Sequence, residues 1–82
     1  MRFTDFQFRW NTKQVAGDGG IHCVWDGFVL WAQPDGSWRV NEWDGNVAVI
    51  LVDSDDQTKG KDLHDAQQRA QAAAMIQHSL RR

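Results

Sequence analysis

Three Asp-Gly dipeptides recur at intervals of nine residues, at Asp26-Gly27, Asp35-Gly36 and Asp44-Gly45. Asp-Gly between apolar stretches is a strong signal for a tight β-hairpin, because a type I′ turn needs positive φ at both central positions. The segments between these turns have the length of ordinary strands. The spacing therefore predicts an antiparallel meander, in which each strand pairs with the next along the chain.

The remaining chain extends this meander at both ends. Phe6, Phe8 and Trp10 alternate with polar residues, as in a half-buried strand. After Val52 a polar connection leads to Asp62, a suitable helix N-cap, and then to a run rich in Ala and Gln. We predict a single α+β domain over residues 1–82, an antiparallel β-meander with one C-terminal α-helix packed on one face. The four to five strands are expected at about 3–10, 20–25, 28–34, 37–43 and 46–52, and the helix at about 62–80.

Two-residue turns would fix which residues face each other across the sheet. Pairing Pro34 with Ser37, for example, sorts the side chains into two faces by strict alternation. One predicted face collects Val24, Val29, Trp31, Trp38, Val40, Val47, Val49 and Leu51. A stripe of alanines lets the helix approach a sheet closely, so we predict that the helix covers this face with its bulky Trp31 and Trp38.

The second face is also apolar, and little chain remains to cover it. Six of its residues form the predicted interaction face: Trp25, Phe28, Leu30, Arg39, Trp43 and Ile50. Exposed apolar patches of roughly several hundred Å² usually mark binding sites, and Trp and Arg are typical of interface hot spots. The alternatives are that the solvent face of a sheet carries some apolar residues without binding anything, or that the first strand buries these residues. We expect a non-enzymatic protein-interaction module, either a homodimer or a protein that inhibits or adapts a larger partner.

A second class of function uses the same aromatic residues. Trp25, Phe28 and Trp43 would form a stacking platform for a small ligand or for single-stranded nucleic acid. Nucleic-acid binding through the phosphate backbone needs a concentrated basic face, whereas here the nine Lys and Arg are scattered and the net charge is −2. Nucleic acid is therefore not favoured, and the stacking platform is kept as the alternative.

No group of residues predicts catalysis, a cofactor or a metal ion. Asp53 begins an acidic run like a calcium loop, but Thr58 stands where such a loop has Gly and His64 where it has Glu. His22 and Cys23 should point to opposite sides of a strand, which prevents them from easily binding one ion. Cys23 is the only candidate nucleophile, and neither a glycine elbow nor an oxyanion loop accompanies it. We therefore predict that the chain is not an enzyme.

The single cysteine excludes an internal disulfide and fits a reducing compartment. The N-terminus alternates apolar and polar residues, unlike a signal peptide, and no stretch approaches the roughly 20 apolar residues of a membrane span. We expect a complete cytoplasmic protein that does not enter the membrane.

The Trp-rich meander, the Asp-Gly turns and the closing Ala-rich helix together resemble, in outline, the small accessory proteins that phages and mobile elements encode, including some inhibitors of bacterial defence systems. The resemblance implies a small protein that acts on a larger host protein. It identifies no single family and assigns no role to a particular residue.

Overall fold

The computed structural model describes residues 8–11, 17 and 19–80. Five strands form one antiparallel sheet, in the same order in space as in the chain: β1 (Trp10–Asn11), β2 (Ile21–Trp25), β3 (Phe28–Ala32), β4 (Trp38–Trp43) and β5 (Ala48–Asp53). One helix, α1 (Leu63–Leu80), packs against β3 and β4. The predicted α+β meander with a C-terminal helix is confirmed. Of the first strand predicted at about 3–10, Trp10 lies in β1, residues 8–9 precede β1, and the part before residue 8 lies outside the described residues.

The β2–β3 hairpin has the tight turn that the sequence predicts. Asp26 and Gly27 have φ angles of 53° and 81°, as a type I′ turn requires at both central positions. Trp25 therefore pairs with Phe28, and the other residues of the two strands follow in regular alternation.

The β3–β4 hairpin has a three-residue loop, and the predicted two-residue loop is wrong. The Gln33 N–H donates to the Ser37 carbonyl at 2.9 Å, and the Gly36 N–H donates to the Gln33 carbonyl at 3.0 Å. Pro34 suits the first central position of a type I turn because its ring fixes φ near −65°. Gly36 takes the left-handed position that follows, with φ 93°. The register of β4 against β3 consequently differs by one residue from the predicted one.

This difference of one residue decides which face of the sheet is buried. Side chains alternate between the faces, so a one-residue change turns β4 and β5 over relative to β2 and β3. Trp38 and Val40 therefore join Leu30 on the helix side. The prediction that the helix covers Val24 and Trp31 is wrong, because these residues are 64% and 37% exposed on the opposite face.

The core lies between the sheet and the alanine stripe of α1. Ala66, Ala70 and Ala74 are fully buried, and their small side chains bring the helix close to the strands. The sheet contributes the other buried side chains, most of them larger: Ile21, Cys23, Phe28, Leu30, Ala32, Trp38 and Val40. Burial of one large apolar side chain contributes about 1.5–3 kcal/mol, so this layer is the main source of stability.

β5 follows a four-residue loop. The Asp44 carboxylate accepts the N–H groups of Asn46 and Val47, both at 2.9 Å, and this local bonding replaces the predicted two-residue turn. Trp43 faces Ala48, two residues beyond its predicted partner. A change of two residues preserves the alternation, so Trp43 and Ala48 stay on one face, as predicted.

Candidate interaction face

The face of the sheet turned away from α1 exposes several large apolar side chains. Trp43 and Ile50 are 53% and 54% exposed there, beside the exposed Val24 and Trp31. We call this surface the open face. Its side chains on β2 to β5, assigned by strand alternation and register, are His22, Val24, Val29, Trp31, Arg39, Asn41, Trp43, Ala48, Ile50 and Asp53.

Cross-strand pairing places His22, Trp31, Arg39 and Asp53 in one row, with one residue from each of β2 to β5. The His22 and Trp31 rings are 5.3 Å apart, and Arg39 Nη2 lies 3.3 Å from Asp53 Oδ2. Both ends of this ion pair are about half exposed, so it contributes only about 0–1 kcal/mol to stability. The row presents an aromatic surface beside a pair of charges that solvent or a partner can reach.

A groove of about 270 Å³ opens beside this row, and we call it the Trp31 groove. Its lining is aromatic and polar: Trp31, Gln33, Ser37, Trp38, Arg39, Asp53 and Ser54. The Trp38 indole N–H donates to the Thr58 carbonyl at 3.0 Å, and the Trp38 backbone N–H donates to Ser54 Oγ at 2.9 Å. These bonds fix one wall of the groove. Its volume is just below the roughly 300–1,000 Å³ range of small-molecule sites.

A second row is apolar except for Asn41. Asn41 of β4 lies between Val29 of β3 and Ile50 of β5, and Val24 of β2 continues the row beyond Val29. Asn41 is only 9% exposed, and its side-chain oxygen has no hydrogen-bond donor among the described residues. An unsatisfied buried acceptor costs about 1–3 kcal/mol. The stability of the fold therefore does not explain why a polar residue occupies position 41.

The structure divides the predicted interaction face into two halves. The open face holds three of its residues: Arg39, Trp43 and Ile50. Phe28 and Leu30 are fully buried, and Trp25 also lies on the helix side. Predicted residues on β2 and β3 lie on the helix side and those on β4 and β5 on the open face, because the register differs by one residue between β3 and β4. The six residues thus do not form one surface.

Trp25 belongs to an aromatic cluster on the helix side. The rings of Phe8, Phe28 and His78 lie 4.7, 6.1 and 5.2 Å from the Trp25 ring. Trp43 lies on the opposite face of the sheet. The platform predicted from Trp25, Phe28 and Trp43 is therefore not a single stacking surface.

Val24 and Trp31 are open-face residues that the sequence pattern misses, because strict alternation places them in the predicted core. Pro34 is the signal that would have found them. Proline before Asp35-Gly36 favours a type I turn and hence a three-residue loop. That loop gives the observed register and places Trp31 on the exposed side.

Cys23 is buried on the helix side, and burial raises the pKa of its thiol. A protonated thiol is a poor nucleophile, so this environment does not support catalysis by Cys23. In the described part of the chain, no three His, Cys, Asp or Glu side chains are grouped so that they could hold a metal ion. Nor does any described helix have the length and apolar character needed to cross a membrane.

Comparison with known proteins gave no match to this chain among family models, curated proteins or solved structures. The chemistry of the open face is therefore the basis for a functional assignment.

Proposed function

We propose that this chain is a non-enzymatic protein-interaction module that binds a larger protein through the open face, as an inhibitor or an adaptor. The unsatisfied side-chain oxygen of Asn41, in a row of apolar side chains, is the observation that carries the proposal. Buried polar groups in native proteins are normally hydrogen-bonded. A partner that covers the row would bury its apolar side chains, and a donor on that partner would satisfy the Asn41 oxygen once the Asn41 side chain turns towards it.

The arrangement specifies the chemistry of the partner surface. Its centre should be apolar, to pack against Val24 and Ile50, with one hydrogen-bond donor opposite Asn41. Its rim should carry charges that complement the accessible Arg39–Asp53 pair. Trp31 and Trp43 supply large exposed rings, and Trp is enriched among the residues that dominate binding energy.

Two substitutions test this proposal, with a control on the helix. Trp43→Ala should weaken partner binding by about 30-fold, the effect of losing a hot spot of about 2 kcal/mol. Ile76→Ala, which truncates an exposed side chain on α1, should leave binding unchanged. Proteins retained by the wild type and Ile76→Ala, but lost with Trp43→Ala, would be measured again in purified form by calorimetry.

Asn41→Leu distinguishes an effect on partner binding from an effect on stability. Replacement of an unsatisfied buried amide by an apolar side chain should leave the free energy of unfolding unchanged or raise it. The same substitution should weaken partner binding, because the partner's donor then loses its acceptor. Equal capture by the wild type, Trp43→Ala and Asn41→Leu would contradict the proposal.

A small-ligand function is the second candidate, and the Trp31 groove is the observation that favours it. Trp31 offers a ring for stacking, and Arg39, Asp53 and Ser37 offer hydrogen bonds around a space of about 270 Å³. Single-stranded nucleic acid is the less favoured ligand, since the net charge is −2. Titration with sugars and with oligonucleotides, followed by tryptophan fluorescence, tests this candidate. An unchanged spectrum would remove it.

The proposed compartment is the cytoplasm. Cys23, the only cysteine, is unpaired and buried, and proteins of reducing compartments keep their thiols in this form.

A further inference from the structure

The outer edge of β5 has the features of a strand that pairs with another chain. β5 pairs with β4 on one side, and within the described residues no strand pairs with its other side. The run Val47–Val52 is entirely apolar and contains no Pro, Gly or charged residue. A long apolar edge strand presents unpaired backbone N–H and C=O groups and is a template for strand addition.

Both faces of β5 are exposed in addition to its edge. Ile50 is exposed on the open face, while Val49 is 46% exposed on the helix side and Val47 is 57% exposed just before the strand. Helix α1 packs mainly on β3 and β4, so it leaves this part of β5 uncovered. Leu80, at the end of α1, is 71% exposed and borders the same region in a recess that also contains Leu51. Apolar exposure is thus concentrated around this one edge.

A bulge in β5 leaves most of the strand regular. The register against β4 changes between Val40 and Asn41, and Leu51 is the extra residue. Bulges can protect a sheet edge from pairing. Here Ala48, Val49 and Ile50 keep a continuous register with β4, so this half of the edge remains suitable for pairing.

The two edges of the sheet differ in length. The described β1 has two residues, whereas β5 has six. Pairing of β5 with its own copy uses the regular Ala48–Ile50 part of the longer edge in both chains and leaves the short edges outside. Such a contact is closed by a two-fold axis, so the assembly stops at a dimer.

We propose that β5 pairs antiparallel with β5 of a second copy, which joins the two five-stranded sheets. The charges permit this contact, because no charged residue lies between Gly45 and Asp53. Antiparallel pairing places the two Asp53 carboxylates at opposite ends of the joint, and each already lies 3.3 Å from Arg39 of its own chain. Val24 and Trp31 lie on other strands, so they stay accessible in the dimer. This inference does not depend on the proposed function.

The test is the solution mass by size-exclusion chromatography with light scattering, over a wide range of concentrations. The wild type should reach twice its mass of 9.4 kDa. Val49→Lys should raise the dimer dissociation constant by at least about tenfold, because it brings two like charges close together at the joint. Val24→Lys introduces the same charge on the open face away from β5, and the dimer should persist.

Three results would overturn the inference. These are a wild-type monomer at every concentration, a polymer in place of a dimer, and a dimer that Val24→Lys abolishes at least as strongly as Val49→Lys. Circular dichroism checks that each variant is folded, and Val47→Lys replaces Val49→Lys if the latter unfolds. Partner binding that is lost with Trp43→Ala but kept with Val49→Lys would support the open face whichever result the mass measurement gives.

Discussion

Gly36 combines a left-handed backbone conformation with a close backbone contact. Its φ is 93°, and a Cβ at this position would lie 1.8 Å from the Gly60 carbonyl oxygen. The Gly60 N–H donates to the Gly36 carbonyl at 2.7 Å. The β3–β4 turn and the connection before α1 therefore touch backbone to backbone. Only glycine permits both this conformation and this contact.

Gly36→Ala should destabilise the protein more than Gly45→Ala does. Gly45 has φ 100°, and a methyl group added to it would meet no atom within 4 Å. Gly45→Ala should therefore lower the free energy of unfolding only by the strain of the left-handed conformation, about 1–2 kcal/mol. Gly36→Ala adds a steric clash of about 1–3 kcal/mol. Urea unfolding of the two variants gives the comparison. Equal losses would show that the two backbones are not in contact.

At the scale of elements, α1 combines a specified start with a narrow packing stripe. Asp62 Oδ1 accepts the Asp65 N–H at 2.9 Å, and Asp65 Oδ2 accepts the Lys61 N–H at 2.9 Å. The first bond satisfies a backbone donor that a helix start leaves free, and the second ties the residue before the N-cap to the first turn. The predicted N-cap at Asp62 is confirmed. The alanine stripe then fixes how closely the helix can approach β3 and β4.

Ala70→Leu should destabilise the helix–sheet contact, whereas Ala72→Leu should not. Ala70 is fully buried against the sheet, and added methyl groups in a packed core cost about 1–3 kcal/mol. Ala72 is exposed on the same helix, and leucine is nearly as favourable as alanine in helices. Thermal unfolding would detect the difference. A similar melting temperature for both variants would mean that the stripe has room for larger side chains.

At the scale of the whole molecule, polar bonds join distant segments of the chain. Trp10 Nε1 donates to Gln71 Oε1 at 2.8 Å, which ties β1 to α1. Arg69 Nη1 and the Trp38 indole both donate to the Thr58 carbonyl, at 3.3 and 3.0 Å. The connection before α1 is thereby held against both the sheet and the helix.

Acid should destabilise the whole fold through four carboxylates at the protein surface. Hydrogen bonds from Ser37, Val47, Gln57 and Lys61 lower the folded-state pKa values of Asp35, Asp44, Asp55 and Asp65, respectively. A lowered folded-state pKa contributes stability that is present above the unfolded pKa of about 3.9 and is lost as the pH falls through the folded value. Stability should therefore decline below about pH 4.

Asp55→Asn tests one of these carboxylates. Asparagine can still accept the Gln57 and Thr58 N–H groups that Asp55 Oδ1 binds, but it does not titrate over this range. The variant should lose less stability between neutral pH and about pH 3 than the wild type does. Asp56→Asn, outside these hydrogen bonds, is the control. Parallel stability curves for Asp55→Asn and the wild type would contradict the prediction.

Local patterns in the sequence were sufficient to predict the strands and the helix. Asp26-Gly27 predicts its type I′ turn because few residues tolerate positive φ, and Asp62 predicts the helix start because its side chain can accept a backbone N–H. The alternation of the strands and the Ala-rich stripe predict the meander and its covering helix. Each of these patterns depends on residues close together in the chain, so the elements could be predicted without knowledge of long-range packing.

The meander, the presence of a helix at the C-terminal end of the described chain and the existence of a second apolar face all follow from the amino-acid sequence. The face that the helix covers does not, because both faces are apolar and alternation alone cannot choose between them. That choice depends on one residue of register at the Pro34 loop, which brings Trp38 and Val40 beside Leu30 in a single layer. Packing across three strands and a helix therefore fixed the buried face, and with it the position of the open face.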